Sequence, residues 1–169
     1  KDKSRDDMSD KLKVLMIAGS YPPVRCGVGD YSARLAAALH RRPDVQLTVL
    51  TSEQKVTPLE YDGIDVRAEM RNWRLKGLPQ YLHLAREFTP DVVHLQFPTQ
   101  SYNAVTGLAV LPAATRILLG TPIVETFHEY FPLRFSRISA CMYAMALTAN
   151  ALVAVRPCYR ERMPSSLQT

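Results

Sequence analysis

Residues 13–39 read KVLMIAGSYPPVRCGVGDYSARLAAAL, and the parsing of this stretch decides the fold. Lys13 to Ala18 is an apolar run stopped by Gly19, the pattern of a central parallel strand covered on both faces. From Asp30 to His40, Tyr31, Leu35 and Leu39, with Val28 just ahead, fall on one helical stripe, and the alanines between them keep helix propensity high. Pro22, Pro23, Arg25 and the Gly27-Val28-Gly29 triplet lie between strand and helix. Such a join is either an ordinary connection or a loop that lets a ligand approach the backbone. A helix N-terminus carries unpaired N–H groups and partial positive charge, which suits a phosphate, and glycine leaves room for one. The run Gly27 to Ser32 matches the dinucleotide fingerprint only in part, and no Walker lysine-serine follows. Spacing alone favours a plain turn.

Working outward, apolar runs and helical stripes alternate. Pro43-Asp44 ends the first helix and Val45 to Leu50 is the next strand; a short strand is expected at Ile64 to Ala68, after the Asp62-Gly63 turn signal. Leu75 to Phe88 reads as a helix with Leu78, Leu82 and Ala85 on one side, broken by Thr89-Pro90-Asp91 before the strand Val92 to Phe97. Asn103 to Leu119 is helical in composition, with Pro112 set to kink or divide it. Ile123 to Phe127 is a strand, Phe135 to Ala149 a helix, Leu152 to Val155 a strand, and Cys158 to Met163 begins a helix. This alternation predicts an α/β fold: a doubly wound, mainly parallel Rossmann-like sheet of about six or seven strands with helices on both faces. Ligands in such sheets bind at the carboxyl ends of the strands, here Gly19 to Gly29, Thr51-Ser52, Phe97 to Tyr102 and His128 to Phe131.

Composition narrows the classes. The 169 residues are 47% apolar and 22% charged, enough for one buried domain and unlike a disordered chain. The net charge of +5 fits anionic partners. Residues 1–12 open with a mixed-charge run that reads as a disordered tail, and no signal peptide is evident. Cys26, Cys141 and Cys158 are odd in number and scattered, so neither a disulfide framework nor a zinc site is expected. Ile138 to Val155 is 18 residues without a charge, a membrane-span length. Asn150 sits where a helix end wants a left-handed residue, so the run is read as helix, turn and buried strand.

Among polar residues, His128 ends a strand and can bond a substrate hydroxyl or phosphate, act as acid or base, or simply tie down a loop. His94 lies inside its strand and is expected to pack or to satisfy a buried group; Gln96 and Phe97, at that strand's end, are better placed to meet a ligand. His40 and His83 are assigned nothing, and no carboxylate cluster for a metal is seen. Four cations (Arg67, Arg71, Arg74 and Lys76) surround the sole tryptophan, Trp73, a pattern that suits an anionic membrane interface or a solvated connection.

In order, KVLMIAGSYPPVRCGVGDYSARLAAAL, VQLTVLTS, PDVVHLQFP, TPIVETFHEY and ALVAV resemble the amino-terminal, acceptor-binding domain of a GT-B fold glycosyltransferase of the GT4 type. The resemblance implies a retaining transferase that uses a nucleotide sugar as co-substrate, with no resident cofactor and no metal. It places Gly27 and Gly29 at the donor diphosphate, and gives His128 the catalytic position near the reacting centre. It puts Tyr21, Arg25, Gln96, Phe97 and Glu129 on the side of a sugar, lipid or polysaccharide acceptor. Glu129 replaces the usual aspartate, Cys26 stands where a first glycine is common, and Arg156 where serine is usual. Residues 13–163 would form this domain and 164–169 the start of an interdomain segment, with the donor-binding carboxyl-terminal domain and its paired glutamates absent from these residues. Little activity is then expected of residues 1–169 alone, in a cytoplasmic protein with the inner membrane face as an optional contact and nucleic acid not a partner. Two rivals stay open: a non-catalytic module that docks through the Trp73 region, and half of a GT-B-like sugar-nucleotide epimerase. A dinucleotide oxidoreductase is disfavoured, because Ser32 replaces the third glycine and the second strand ends in Leu50-Thr51-Ser52, with no acidic residue at that end before Glu53 to hold a ribose.

Overall fold

Six strands, β1 (Leu12–Ala18), β2 (Val45–Ser52), β3 (Asp65–Met70), β4 (Val92–Phe97), β5 (Ile123–Phe127) and β6 (Ala151–Ala154), pair in the order β3-β2-β1-β4-β5-β6. Every pairing is parallel. The computed structural model describes residues 11–53, 63–98, 102, 105–129 and 137–163. Most of the 1–12 tail, the 164–169 segment, the starts expected for two helices at 103–104 and 135–136, and most of the loops after β4 and β5 lie outside the described residues.

The helices are α1 (Gly27–His40), α2 (Leu78–Phe88), α3 (Val105–Ala114), α4 (Arg137–Thr148) and α5 (Pro157–Arg162). They cover the sheet unequally because right-handed crossovers put outward and returning connections on opposite faces. The chain moves outward from β1 to β2 through α1, then returns through α2 and continues through α3 and α4. On one face Leu15, Ile17, Leu95, Phe97, Ile123 and Phe127 pack with Leu82 and Ala85 of α2, Leu108 and Leu111 of α3 and Met142 and Met145 of α4. On the other face Val14, Met16, Ala18, Leu47 and Val49 pack with Ala33 and Ala36 of α1. Beyond α1 this second face is open at its far edge, where Val153 is 40% exposed.

Three sequence expectations change. The buried side of α1 is Gly29, Ser32, Ala33 and Ala36, whereas Leu35 and Leu39 are half-buried and Tyr31 is exposed. Small residues win the inner face because they bring the helix axis close to the sheet, and the longer side chains splay to its flanks. Asn150 is not left-handed: among the described residues the positive-φ non-glycine position is Thr89, with φ 50° at the end of α2. Asn150 instead clamps β5, its N–H donating to the Ile123 carbonyl (2.8 Å) while its Oδ1 accepts from the Ile123 N–H (3.0 Å). Trp73 is 4% exposed and is no surface anchor. Its indole N–H donates to Ser52 Oγ (2.8 Å), its ring meets Tyr102 edge-on, and its carbonyl lies where any side chain on Gly107 would collide.

The 18-residue apolar run resolves into α4, the Asn150 turn and β6. No helix among the described residues is long and apolar enough to cross a membrane. Pro112 does not divide α3; the helix runs through it and changes to a wider π turn at Thr115–Leu119.

Candidate functional site

In this strand order the sequence direction of the connections reverses between β1 and β4, and the crevice outside their carboxyl ends is where α/β sheets hold ligands. The loop after β1, the first turn of α1 and the ends of β4 and β5 frame it. Ser20 and Tyr21 are buried, which anchors the loop, while Arg25 is exposed on it. The helix begins at Gly27 with no side-chain cap, and its first bond runs from the Asp30 N–H to the Cys26 carbonyl (2.8 Å), so the N–H groups of Gly27, Val28 and Gly29 lack intrahelical partners.

The two glycines of that turn do different work. A Cβ on Gly29 would come within 3.1 Å of the Ser20 carbonyl oxygen, so this glycine lets the helix close onto the loop. A Cβ on Gly27 meets nothing within 4 Å. Gly27 therefore faces open space, and of the two it is the position from which a ligand can reach the backbone.

Beside the helix end, His128 follows β5 directly; its backbone N–H donates to the Phe97 carbonyl (2.8 Å), which extends the β4–β5 ladder and sets the ring over β4. His128 Nε2 lies 2.9 Å from Gln96 Oε1. The Tyr31 ring stands edge-on to the imidazole, with centroids 4.6 Å apart and planes at 81°. On the same sheet face His94 Nε2 lies 2.8 Å from Thr126 Oγ1, the buried-group role expected of it. Burial pushes the His128 pKa down to about 4. Burial, with His128 nearby as a smaller cause, does the same to His94. Both rings are thus neutral at pH 7 and act as hydrogen-bonding groups.

Of the sequence-derived candidates, the structure brings Gly27, Gly29, Gln96 and His128 to one corner. Phe97 is 1% exposed and turns to the opposite face, into the core against Phe127 and Tyr102. Tyr21 is buried with Val14, Met16 and Ala18, and Glu129 is exposed beside His128. Two residues escape the sequence reading. Tyr31 looks like a core position by spacing and instead braces the His128 ring. Glu125 is fully buried, 0% exposed, with neither carboxylate oxygen hydrogen-bonded among the described residues, and burial raises its pKa to about 8. Among the described residues no three His, Cys, Asp or Glu side chains converge as a metal site would need.

The sequence profile of Glycosyltransferase Family 4 matches residues 26–166. No curated protein matches the chain by sequence. By structure it is similar to a putative UDP-N-acetylglucosamine 2-epimerase of Listeria monocytogenes (TM-score 0.61, 16% identity), over 90% of this chain and 41% of that one. The present chain thus spans less than half the length of that neighbour. Weaker likenesses are a short chain dehydrogenase family protein of Francisella tularensis (TM-score 0.44, 14% identity, 81% and 60% of the two chains) and the response regulator domain of Thermotoga maritima CheB (0.41, 12%, 89% and 87%). The Listeria likeness supports the Rossmann-like α/β architecture and the profile supplies the family. The chain belongs to Glycosyltransferase Family 4.

Proposed function

We propose that this chain is the acceptor-binding amino-terminal half of a retaining, nucleotide-sugar-dependent glycosyltransferase, inactive until a donor-binding domain completes the cleft. The observation that carries the reading is the corner at β1 and β4. There an uncapped helix end with an open Gly27 stands beside a neutral histidine on a polar mount. Backbone N–H groups at Gly27 and its neighbours would stabilise charge developing on the departing diphosphate, a term that mutagenesis of comparable donors puts at about 3 kcal/mol per donor. His128 would take a hydrogen bond from the reacting hydroxyl or the transferred sugar. Gln96 supports that ring, and Arg25 and Glu129, both exposed beside the crevice, are left for the acceptor.

The test uses a longer protein containing this chain, assayed with nucleotide sugars and scored for the anomeric configuration of the product. A product of retained configuration, formed much more slowly though still measurably in Gly27→Val and His128→Ala, is the expected outcome. Inverted product, epimerised donor without transfer, or full turnover by residues 1–169 alone would each sink the reading. Gly27 is the informative glycine, because a side chain on Gly29 would disturb the fold before it disturbed a ligand.

A further inference from the structure

The His128 ring is held from two sides, by Gln96 Oε1 at Nε2 and by the Tyr31 edge against its face or rim. An amide oxygen only accepts, so the nitrogen opposite it carries the hydrogen. In a neutral imidazole the other nitrogen, Nδ1, then holds the lone pair, and among the described residues it has no hydrogen-bond partner. Gln96 itself is 0% exposed and, among the described residues, its buried side-chain NH2 has no partner. Leaving a buried amide half-paired costs free energy, and an aliphatic side chain of similar length would avoid that cost. The amide therefore stands at a position where packing alone would favour an aliphatic side chain.

We infer that Gln96 is a positioning residue: its side-chain oxygen holds His128 as the Nε2–H tautomer, so that Nδ1 faces the substrate as an acceptor for a hydroxyl hydrogen. The substrate part of this statement rests on the glycosyltransferase reading above; the tautomer does not. The ionisable groups around the ring are His94 on β4, itself bonded to Thr126, Tyr31 on α1 and Glu129 next in sequence. Among the described residues the hydrogen-bond partner of Nε2 is Gln96 Oε1, which sets the tautomer.

Long-range proton–nitrogen NMR on the 169-residue chain with labelled histidine reads the tautomer directly, the His128 signals being assigned by their loss in His128→Ala. The expected spectrum between pH 6 and 8 is the Nε2–H form. Gln96→Glu, which sets a carboxylate against the same N–H, should tighten proton binding to the ring at least tenfold. An Nδ1–H tautomer in the unmodified chain overturns the inference, as does an unchanged His128 titration in a folded Gln96→Glu variant. In the longer enzyme Gln96→Leu should lower kcat about tenfold with KM unchanged, and should add nothing to His128→Ala. Equal losses on both backgrounds would mean that Gln96 does not act through His128. Absence of any transferase activity would sink the functional reading while leaving the NMR result standing.

Discussion

At the scale of single residues, Glu125 makes the sharpest statement about stability. Its side chain shares a face of the sheet with Ile123 and Phe127 and pairs in register with Leu95, and among the described residues neither carboxylate oxygen has a hydrogen-bond partner. Its folded pKa, near 8, is raised above the unfolded value of about 4.5, so the folded state binds the extra proton. Its contribution is fully favourable below about pH 4.5 and is lost as pH rises through 8. Glu125→Gln removes that loss, so the variant should gain on the parent by roughly 1 kcal/mol per pH unit between 5 and 8. Urea denaturation of both proteins at several pH values tests this; a constant difference across the range would mean that Glu125 is not buried as a neutral acid. The site itself is half legible in the sequence. His128 and Gln96 stand out because a polar residue ending an apolar strand must face a ligand or a loop. Tyr31 is hidden because its spacing from Leu35 and Leu39 is that of a core stripe. Glu125 is hidden because a strand covered on both faces has no polar–apolar alternation against which one acid looks wrong.

At the scale of elements, the sequence locates each helix and strand but misjudges faces and ends. α1 shows why: hydrophobic periodicity marks the largest apolar side chains, whereas a helix lying close on a sheet buries its smallest. Ends depend on bonds that composition does not display, such as the Asp91 carboxylate accepting from the Lys13 N–H (2.8 Å) at the start of β1. The end of α2 carries a testable strain. Thr89 closes the helix at φ 50° and ψ 59°, its N–H donating to the Ala85 carbonyl (3.0 Å). A β-branched residue is disfavoured in that region, where glycine is the usual cap. Thr89→Gly should therefore stabilise the chain by about 0.5–1 kcal/mol, less the small contribution of the exposed Lys13–Thr89 hydrogen bond. Thermal and urea unfolding that show destabilisation would place the dominant role of Thr89 in its side chain.

At the scale of the whole molecule, alternating strands and helices make the doubly wound class legible, but the strand order needs the crossover rule together with the structure. The same view redirects the basic segment around Trp73. With the indole buried and bonded to Ser52, the emission of this sole tryptophan should be that of a core residue, and anionic vesicles should leave it unshifted. A salt-sensitive shift on adding vesicles would restore the docking reading. The exposed side of the sheet lies elsewhere. Among the described residues β6 pairs with β5 alone, and Val153, beyond the reach of α1, is 40% exposed, with Ala151 exposed beside it. A short apolar edge strand with free N–H and C=O groups is a template for pairing with another chain, and a charge pointing from its open face opposes that pairing. The 169-residue chain should therefore self-associate as its concentration rises, and Val153→Lys should suppress the association with little change in melting temperature, because the side chain it replaces is 40% exposed. Sedimentation velocity over a concentration series decides the matter. A single species at all concentrations, or association unchanged in Val153→Lys, would show that the β6 edge is already protected within the fold.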